Sequence, residues 1–463
     1  MQKEGVKIEF DGGTIVVHAD ETSTLPLPKA FVFDRRVNAW RGEAFDYAEL
    51  IMALHSNHLP YQDNARNYSV LTLRRQGGFQ PRDYQLLALQ AWIKADRRGV
   101  VVLPTGTGKS LVAQIAMENC QRSTLVVVPT LDLVEQWVNQ LTKAFGVHVG
   151  MLGGGSKDIA DITVSTYDSA VLMMEYIGNR FGLLIADECH HLPGPTYRLL
   201  SRFCLAPFRL GLTATPERAD GGEDYYDDLI GQICFRKNID ELEGRALAPY
   251  RTERIAVELY EDEFNLYQFH RQRYVDFIHA NRINLSSRDG WGAFLRATVQ
   301  RHGGREAFES YLEQRRLART CRAKFEVIWQ LIQRHLDERI LLFTADNPTA
   351  YEIGQRFCLP VLTHYTKLAE RRELLDAFRS GRLPYLVTSK VLNEGVDVPE
   401  ASVGIVVSGS GSIREHVQRL GRILRKADGK QAVLYELVSM GTSELNTSER
   451  RRQHRAYERP DSM

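Results

Sequence analysis

Cysteine is scarce in this sequence, and no two cysteines lie close together. The six cysteines are Cys120, Cys189, Cys204, Cys234, Cys321 and Cys358. Zinc ribbons, clustered iron–sulfur sites and disulfide frameworks usually draw on closely spaced cysteines such as the C-x-x-C motif, which is absent here. The sequence therefore argues against all three kinds of site and favours a reducing compartment.

Long apolar runs and a large net charge are missing too; the net charge is only +1. No stretch reaches the ~18 uncharged apolar residues that a membrane span needs, and the N-terminal MQKEGVKIEFDGG lacks the apolar region of a secretory signal. We expect a protein made and used in the cytoplasm, without a membrane partner. Because 59 Lys and Arg stand against 58 Asp and Glu, attraction to a polyanion depends on local clusters of charge.

Two series of short apolar strands alternate with helical patterns. The first series lies at residues 100–103, 125–128, 162–165 and 183–186, and the second lies at 340–343, 385–388, 403–407 and 432–435. Continuous apolar strands separated by helices indicate parallel sheets covered by helices on both faces. The 463 residues are enough for two or three cores, so we predict two α/β domains.

The remaining segments lack this alternation and set the predicted domain boundaries. An alternating strand at residues 13–18 and several aromatic residues predict a small N-terminal α+β module. Aromatic residues among charges, without strand–helix alternation, predict a mostly helical insertion between the α/β domains. The predicted segments are this module at 1–75, the first α/β domain at 76–235, the helical insertion at 236–322, the second α/β domain at 323–440 and a basic polar tail at 441–463.

A glycine-rich loop follows the first strand of the first series. It reads V-V-L-P-T-G-T-G-K-S and predicts a phosphate-binding loop made of Thr105, Gly106, Thr107, Gly108, Lys109 and Ser110. The glycines let backbone N–H groups surround a phosphate, the lysine reaches the β- and γ-phosphates, and the Ser110 hydroxyl takes a Mg²⁺ position. Leu103 stands where the motif usually begins with glycine. The alternative is a glycine-rich turn with no ligand.

Two adjacent carboxylates, Asp187 and Glu188, end the apolar strand at 183–186. Ligands of α/β proteins bind at this edge of a sheet, so we predict that Asp187 holds Mg²⁺ and that Glu188 orients and deprotonates the attacking water. An isolated Asp-Glu pair would more readily be a helix N-cap. His190 and His191 follow; since no second suitably spaced pair of ligands is present, a hydrogen-bonding relay is favoured over zinc.

These motifs, with P-R-D-Y-Q at 81–85, T-A-T at 213–215 and Q-R-L-G-R-I-L-R at 418–425, resemble the superfamily-two helicases, most closely the xeroderma pigmentosum group B type. The resemblance covers roughly residues 80–440. It implies two tandem RecA-like motor domains, a damage-recognition-like module at 1–75 and a helical thumb-like insertion at 236–322. It also implies that the cofactors are ATP and Mg²⁺.

The resemblance assigns further roles around the nucleotide. Gln85 takes the place of the family's adenine-reading glutamine, with Arg82 near the same pocket, and the amide suits the donor–acceptor edge of adenine. The further positions implied to contact nucleotide are Asp397 and Gln418. Arg422 and Arg425 lie three apart, on one helical face, so both can point at a γ-phosphate as arginine fingers. A solvated arginine-rich helix is the alternative, against which the Q-x-x-G-R-x-x-R spacing argues.

Strand contacts and coupling residues are implied in the same way. The residues implied to contact nucleic acid are Pro129, Thr130, Thr166, Tyr167, Arg218, Asp220 and Thr388. The residues implied to couple hydrolysis to strand binding are His190, Thr213, Thr215 and Gly395. Arg218-Ala219-Asp220 stands where the family has Arg-Glu-Asp, so the middle carboxylate of a strand-separating triplet is missing.

The function implied by the resemblance is that of a Mg-ATP-driven DNA helicase or translocase with 3′-to-5′ polarity. Its expected setting is nucleotide excision repair or transcription-linked DNA opening, in the cytoplasm or with DNA in a nucleoid or nucleus. The expected partners are single-stranded or forked DNA and a nuclease or a repair or transcription protein. Two alternatives stay open: an RNA-remodelling helicase, and a nuclease-recruiting scaffold in which ATP only switches a clamp.

Overall fold

The computed structural model describes residues 6–19, 25–77, 80–217, 221–244, 246–287, 289–389, 401–409 and 432–452. These residues form two compact units, of which the first runs to Glu241 and the second begins at Leu242. Within these ranges, no helix combines the length and apolar character that a bilayer crossing requires.

The first unit begins with a small five-stranded sheet. Its elements are β1 (Val6–Asp11), β2 (Thr14–His18), β3 (Val32–Asp34), β4 (Ala39–Glu43), a 3₁₀ turn (Ala44–Asp46), α1 (Tyr47–Ser56) and β5 (Tyr61–Asp63). The strand order is β3-β4-β2-β1-β5. Gly12 and Gly13 both have positive φ, 54° and 80°, which allows the tight turn between β1 and β2. The three central residues of β2 are buried, and Ile15 and Val17 share a core with Leu50 and Leu54 of α1.

This small sheet packs against the α/β domain that follows it. Leu205 of that domain is part of the small sheet's core. Phe45 contacts two arginines of the domain, with its ring centroid 4.6 Å from the Arg98 guanidinium carbon and 4.4 Å from that of Arg209. Arg209 is fully buried, and its guanidinium donates to backbone carbonyls that include those of Cys204 and Leu229. The two parts of the first unit therefore share one packed interface.

The rest of the first unit is an eight-stranded α/β sheet. Its elements are α2 (Asp83–Lys94), β6 (Arg98–Val102), α3 (Lys109–Cys120), β7 (Thr124–Val128), α4 (Leu131–Phe145), β8 (Gly150–Gly153), β9 (Ser156–Lys157), β10 (Ile162–Thr166), α5 (Tyr167–Ile177), β11 (Leu183–Asp187), α6 (Arg198–Arg202), β12 (Phe208–Thr213), α7 (Tyr226–Leu229), β13 (Ile233–Arg236) and α8 (Ile239–Leu242). The order is β13-β6-β12-β11-β7-β10-β8-β9, and every described pair except β8–β9 is parallel. The central strands β7, β10 and β11 are buried along their whole length. The mostly apolar sequences of β7 and β11 predict this burial, whereas β10 also buries two threonines and a serine.

The second unit contains a six-stranded parallel sheet. Its elements are β14 (Tyr250–Val257), α9 (Glu261–Ala280), α10 (Gly290–Gln300), α11 (Gly304–Arg319), α12 (Arg322–Arg334), β15 (Ile340–Phe343), α13 (Asn347–Phe357), β16 (Val361–Leu362), α14 (Leu368–Arg379), β17 (Tyr385–Thr388), β18 (Val403–Val406), β19 (Ala432–Ser439) and α15 (Glu444–Arg452). The order is β14-β19-β18-β15-β17-β16, and the described pairs are parallel. The prediction of two α/β domains with parallel sheets is therefore confirmed.

Strand β14 was not predicted. It lies within residues 236–322, which the sequence indicates to be helical, and it pairs with β19 over eight residues. Its sequence, YRTERIAV, carries charges because β14 is the edge strand of the sheet and much of it is solvent-accessible. Continuous apolar runs therefore do not reveal β14. The helices α9, α10 and α11 that follow agree with the helical prediction for the rest of the segment.

Candidate functional site

The predicted phosphate loop lies between β6 and α3. Gly106 and Gly108 have φ values of 84° and 80°, a left-handed conformation that glycine adopts without steric cost. Gly108 is the N-cap of α3, and Lys109 is the first residue of the helix. The loop therefore directs backbone N–H groups and the positive end of a helix dipole to one place, as phosphate binding requires.

Two side chains of α2 hold the loop in this shape. The hydroxyl of Tyr84 and the Gln85 Nε2 both donate to the carbonyl of Thr107, at 2.6 and 2.9 Å. The Gln85 Oε1 accepts from the backbone N–H of Arg82 at 2.9 Å. A Cβ at Gly108 would lie 2.6 Å from the Gln85 Nε2, so a side chain there would displace the Gln85 amide from the loop. Sequence reasoning assigned Gln85 to adenine and missed this contact with the loop.

The surroundings of Leu103 account for a leucine where the motif usually begins with glycine. Its side chain is fully buried, and its backbone N–H donates to the carbonyl of Thr213 at 3.0 Å. Leu103 therefore extends the core and the ladder between β6 and β12 before the loop begins. The tight backbone of the phosphate loop starts after this residue.

The two carboxylates lie at the end of β11. Asp187 is 7% exposed. Its Oδ1 accepts from the backbone N–H of Glu188 at 3.1 Å, and its Oδ2 accepts from the indole Nε1 of Trp137 at 2.9 Å. Burial, together with the neighbouring charge of Glu188, raises the pKa of Asp187 to about 6.

Glu188 reaches towards the phosphate loop. Its Oε1 lies 3.7 Å from the Nζ of Lys109, and both side chains are largely buried. Glu188 has φ 48°, a left-handed conformation that is costly for a residue with a side chain. The structure therefore brings together the lysine and the carboxylates, although Lys109 and Asp187 belong to separate motifs far apart in the sequence.

A buried histidine connects Glu188 with the T-A-T segment. The Nδ1 of His190 lies 3.5 Å from the Glu188 Oε2 and 3.2 Å from the Thr213 Oγ1. The Thr213 Oγ1 in turn accepts from the backbone N–H of Thr215 at 3.2 Å. Three of the predicted coupling residues thus form one continuous set of contacts. In the part of the chain that the structure describes, no three His, Cys, Asp or Glu residues are grouped to hold a metal by themselves.

The residues predicted to contact nucleic acid in the first α/β domain occupy two kinds of environment. Pro129 and Thr130 are partly exposed, and Thr130 caps α4 by accepting from the Leu133 N–H. Thr166 caps α5 in the same way. The side chain of Tyr167 is buried and its hydroxyl donates to the Asp187 carbonyl at 3.0 Å, so the predicted strand contact at this position falls to its backbone. The ring is held inside the domain by this bond and by packing against Tyr197.

Thr388, the strand contact predicted in the second α/β domain, ends β17 and is fully buried. Its Oγ1 donates to the Ser389 carbonyl at 3.2 Å, so the hydroxyl is already engaged with the backbone. The remaining predicted site residues lie outside the described residues. They are Arg218, Asp220, Gly395, Asp397, Gln418, Arg422 and Arg425.

The donor atoms around the loop fit a nucleotide with a magnesium ion. The hydroxyl of Thr105 is buried and has no hydrogen-bond partner among the described residues, as expected of a group placed to meet a phosphate. The carboxylate of Asp187 and the hydroxyl of Ser110 are hard oxygen groups that would suit such an ion. Mg²⁺ is bound through one or two such groups together with phosphate oxygens and water, whereas zinc prefers nitrogen and sulfur ligands.

Three family models match parts of this chain. Type III restriction enzyme, res subunit, matches residues 78–218. ERCC3/RAD25/XPB C-terminal helicase matches residues 305–456. Xeroderma pigmentosum group B helicase damage recognition domain matches residues 8–65.

Relatives of known name cover most of the chain. The DNA 3'-5' translocase XPB2 of Sulfurisphaera tokodaii is 38% identical over 417 residues, which make up 90% of this chain and 94% of the relative. The DNA 3'-5' helicase XPB of Mycobacterium tuberculosis is 33% identical over 378 residues, 79% of this chain. This chain spans 61% of that bacterial relative.

Solved structures share the fold. The helicase domain of Pyrococcus furiosus Hef matches with a TM-score of 0.53 at 20% identity, over 81% of this chain and 98% of that chain. Saccharomyces cerevisiae Dbp5 bound to RNA and ADP BeF3 matches with a TM-score of 0.55 at 16% identity, over 81% and 87%. These likenesses concern the fold alone, and they confirm the prediction of tandem RecA-like domains.

Proposed function

The chain belongs to the xeroderma pigmentosum group B family of superfamily-two helicases, and on this premise we propose that it is an ATP-dependent 3′-to-5′ DNA helicase or translocase. One observation of the structure carries the chemical part of the proposal. Lys109 of the phosphate loop and Glu188 of the carboxylate pair lie 3.7 Å apart beside the buried Asp187. Phosphoryl transfer to water requires these groups at one place.

Each residue of the site has a defined task in this proposal. The loop N–H groups and Lys109 bind the β- and γ-phosphates, and Asp187 with Ser110 would hold Mg²⁺. When bound, Mg²⁺ neutralises charge on the phosphate oxygens. Glu188 leaves its contact with Lys109, orients the attacking water and accepts its proton. We further propose that Arg422 and Arg425 stabilise the transferred phosphoryl group.

The contacts of His190 provide a route by which hydrolysis is sensed. His190 lies against both Glu188 and Thr213, at 3.5 and 3.2 Å, and is fully buried. A change in the position of Glu188 on hydrolysis must therefore alter the packing of the T-A-T segment. We propose that His190, Thr213 and Thr215, together with Gly395, transmit the state of the nucleotide to the strand-contacting segments.

The substrate and setting follow from the family. We propose that the track is single-stranded or forked DNA, contacted at Pro129, Thr130 and Thr166, and that the work belongs to excision repair or transcription-linked opening. A nuclease or a repair or transcription protein is the proposed partner. The proposed setting is the cytoplasm, or a nucleoid or nucleus where the DNA is.

Strand displacement tests the polarity. Forked DNA substrates with a single-stranded 3′ arm or a single-stranded 5′ arm are incubated with Mg-ATP, and a triplex-displacement substrate reports movement on duplex. We expect opening of the 3′-armed substrate, or triplex displacement, by the wild-type protein. Lys109→Ala should abolish both, because the phosphates lose their main cation.

The matched control is Lys143→Ala, which removes an exposed lysine of the same domain and should leave displacement intact. Preference for the 5′ arm would contradict the polarity. Displacement by Lys109→Ala at the wild-type rate would contradict the assignment of the site.

A further inference from the structure

The carboxylate of Asp187 is held by a side chain that the function above does not use. The indole Nε1 of Trp137 donates to the Asp187 Oδ2 at 2.9 Å, from a helix 50 residues away in sequence. Trp137 is 3% exposed. Since the Asp187 Oδ1 is engaged by the Glu188 N–H, both oxygens of the carboxylate have fixed directions. An indole N–H can only donate a hydrogen bond. Loss of the Asp187 acceptor would leave this donor buried and unsatisfied, so the bond is costly to break.

The backbone of Asp187 is held from a second helix. The hydroxyl of Tyr167 donates to the Asp187 carbonyl at 3.0 Å, and its ring is 1% exposed. Tyr167 is the first residue of α5, and Trp137 lies in α4. The end of β11 is therefore positioned by two aromatic donors. Trp137 binds the side chain of Asp187, and Tyr167 binds its main-chain carbonyl.

Both helices begin at the same edge of the sheet. The strands that precede them, β7 and β10, are parallel neighbours, with Thr166 opposite Val128. The residues proposed to contact the DNA strand, Thr130 and Thr166, are the N-caps of these helices. Trp137 lies about two helical turns, ~10 Å, beyond Thr130, and Tyr167 directly follows Thr166. Each cap is thus connected to Asp187 through a short stretch of helix and one hydrogen bond, from Thr130 through Trp137 and from Thr166 through Tyr167.

Packing alone does not account for this arrangement. The buried face of α4 consists of Val134, Trp137, Leu141 and Phe145, and an aliphatic side chain or phenylalanine would fill the second position as well. Trp92 of the same domain shows the ordinary solution for a buried indole, since its Nε1 donates to the Arg209 carbonyl at 2.8 Å. Trp137 differs because its acceptor is the carboxylate that the reaction uses.

We propose that Trp137 is a positioning residue that orients the Asp187 carboxylate and, with Tyr167, couples strand binding at the caps of α4 and α5 to Mg-nucleotide binding. The inference rests on the proposed function. Coupling of this kind is reciprocal, so a bound strand and a bound Mg-nucleotide each change the affinity of the protein for the other. Loss of the indole donor should reduce that mutual effect.

The test measures binding, without turnover. A fluorescent nucleotide is titrated with and without Mg²⁺, and labelled single-stranded DNA is titrated by anisotropy with and without a non-hydrolysable ATP analogue and Mg²⁺. For Trp137→Phe we expect the Mg²⁺-dependent gain in nucleotide affinity to fall ~10-fold or more, in the range seen when residues that orient metal ligands are removed. The effect of the Mg-nucleotide on DNA affinity should shrink towards none.

The matched control is Trp92→Phe, which also removes one buried indole donor of this domain but leaves Asp187 untouched. It should keep the wild-type Mg²⁺ gain and the wild-type coupling, even if its thermal stability falls as much. Equal behaviour of the two variants in both titrations would overturn the inference. If Trp137→Phe shows no thermal transition, Tyr167→Phe, which removes only a hydroxyl, decides: retention of full coupling by that variant overturns the inference.

Failure of the proposed function has a different signature. In that case the wild-type protein itself would show no mutual effect of Mg-nucleotide and DNA, and no DNA-stimulated hydrolysis. Failure of the present inference leaves the wild-type effects intact and gives Trp137→Phe the same values as Trp92→Phe.

Discussion

Glu188 and Asp187 are both held at a free-energy cost. Glu188 adopts φ 48°, and residues with side chains in such sparsely populated regions cost on the order of 1–3 kcal/mol. Asp187 is buried beside a second carboxylate, which raises its pKa to about 6 from the ordinary 3.8. Strain of this kind is expected where charge must be placed for catalysis, and it means that the site is less stable than the fold around it.

The buried Asp187 leads to a prediction about stability and pH. Because its pKa is higher in the folded than in the unfolded chain, folded protein binds more protons between the two pKa values, and stability falls as the pH rises through about 6. Asparagine cannot ionise. Relative to wild type, Asp187→Asn should therefore gain about 2–3 kcal/mol of stability between pH 4 and pH 7.5 in the metal-free protein. A loss that does not depend on pH is superimposed, because the amide NH₂ would face either the Trp137 Nε1–H or the Glu188 N–H, which are both donors.

Thermal unfolding without nucleotide or Mg²⁺, at pH 7.5 and at pH 4.5, measures this difference. Asp161→Asn, at an exposed position of the same domain, is the control and should change the melting temperature little at either pH. A difference from wild type that has the same size at both pH values would contradict the assigned cause.

At the scale of elements, a buried ion pair holds α15. Lys324 of α12 is fully buried; its Nζ donates to the Glu444 Oε2 of α15 at 2.6 Å and to the Val407 carbonyl at 2.7 Å. The same Glu444 oxygen accepts from the Ser439 N–H at 3.3 Å, at the end of β19. Three elements of the second unit meet at this pair.

Removal of one member of the pair leaves the other charge buried and unpaired. Lys324→Met should therefore destabilise the second unit by about 3–5 kcal/mol. Joint replacement by Lys324→Met and Glu444→Leu should recover most of that loss. The measurement is urea unfolding followed by circular dichroism.

The exposed pair Arg305–Glu309 on α11 is the contrast, since its side chains are 87% and 60% exposed. Arg305→Met should cost less than ~0.5 kcal/mol. If Lys324→Met proved as mild as Arg305→Met, the buried pair would not hold α15 as described.

The strands differ in how well the sequence predicts them. Strands such as β7 and β11 are continuous apolar runs because both faces of the sheet are covered, and this made the α/β domains predictable. The edge strand β14 carries charges and was missed. The phosphate loop and the carboxylate pair were found because each is local in sequence.

Contacts that only the tertiary fold creates were not found. The bond from Trp137 to Asp187 joins residues 50 apart, and the sequence around Trp137 carries no local signal of it, because a tryptophan on an amphipathic helix is usually core. The same holds for Gln85, whose contact with Thr107 depends on α2 packing beside the loop.

At the scale of the whole molecule, we propose that ATP hydrolysis depends on bound DNA. We propose that the phosphate loop, Asp187 and Glu188 carry out the chemistry within the first unit, and family membership indicates that the track is DNA. The central claim is that one site, containing Lys109 and Glu188, hydrolyses ATP faster when DNA is bound.

The most direct test is the ATP turnover rate measured side by side without nucleic acid and with single-stranded DNA, duplex DNA, forked DNA and RNA. We predict that at least one form of DNA raises the rate above that with RNA, and that Glu188→Gln abolishes turnover while retaining DNA binding at low salt. Stimulation by RNA beyond that by every DNA, or near-normal turnover by Glu188→Gln, would contradict the account.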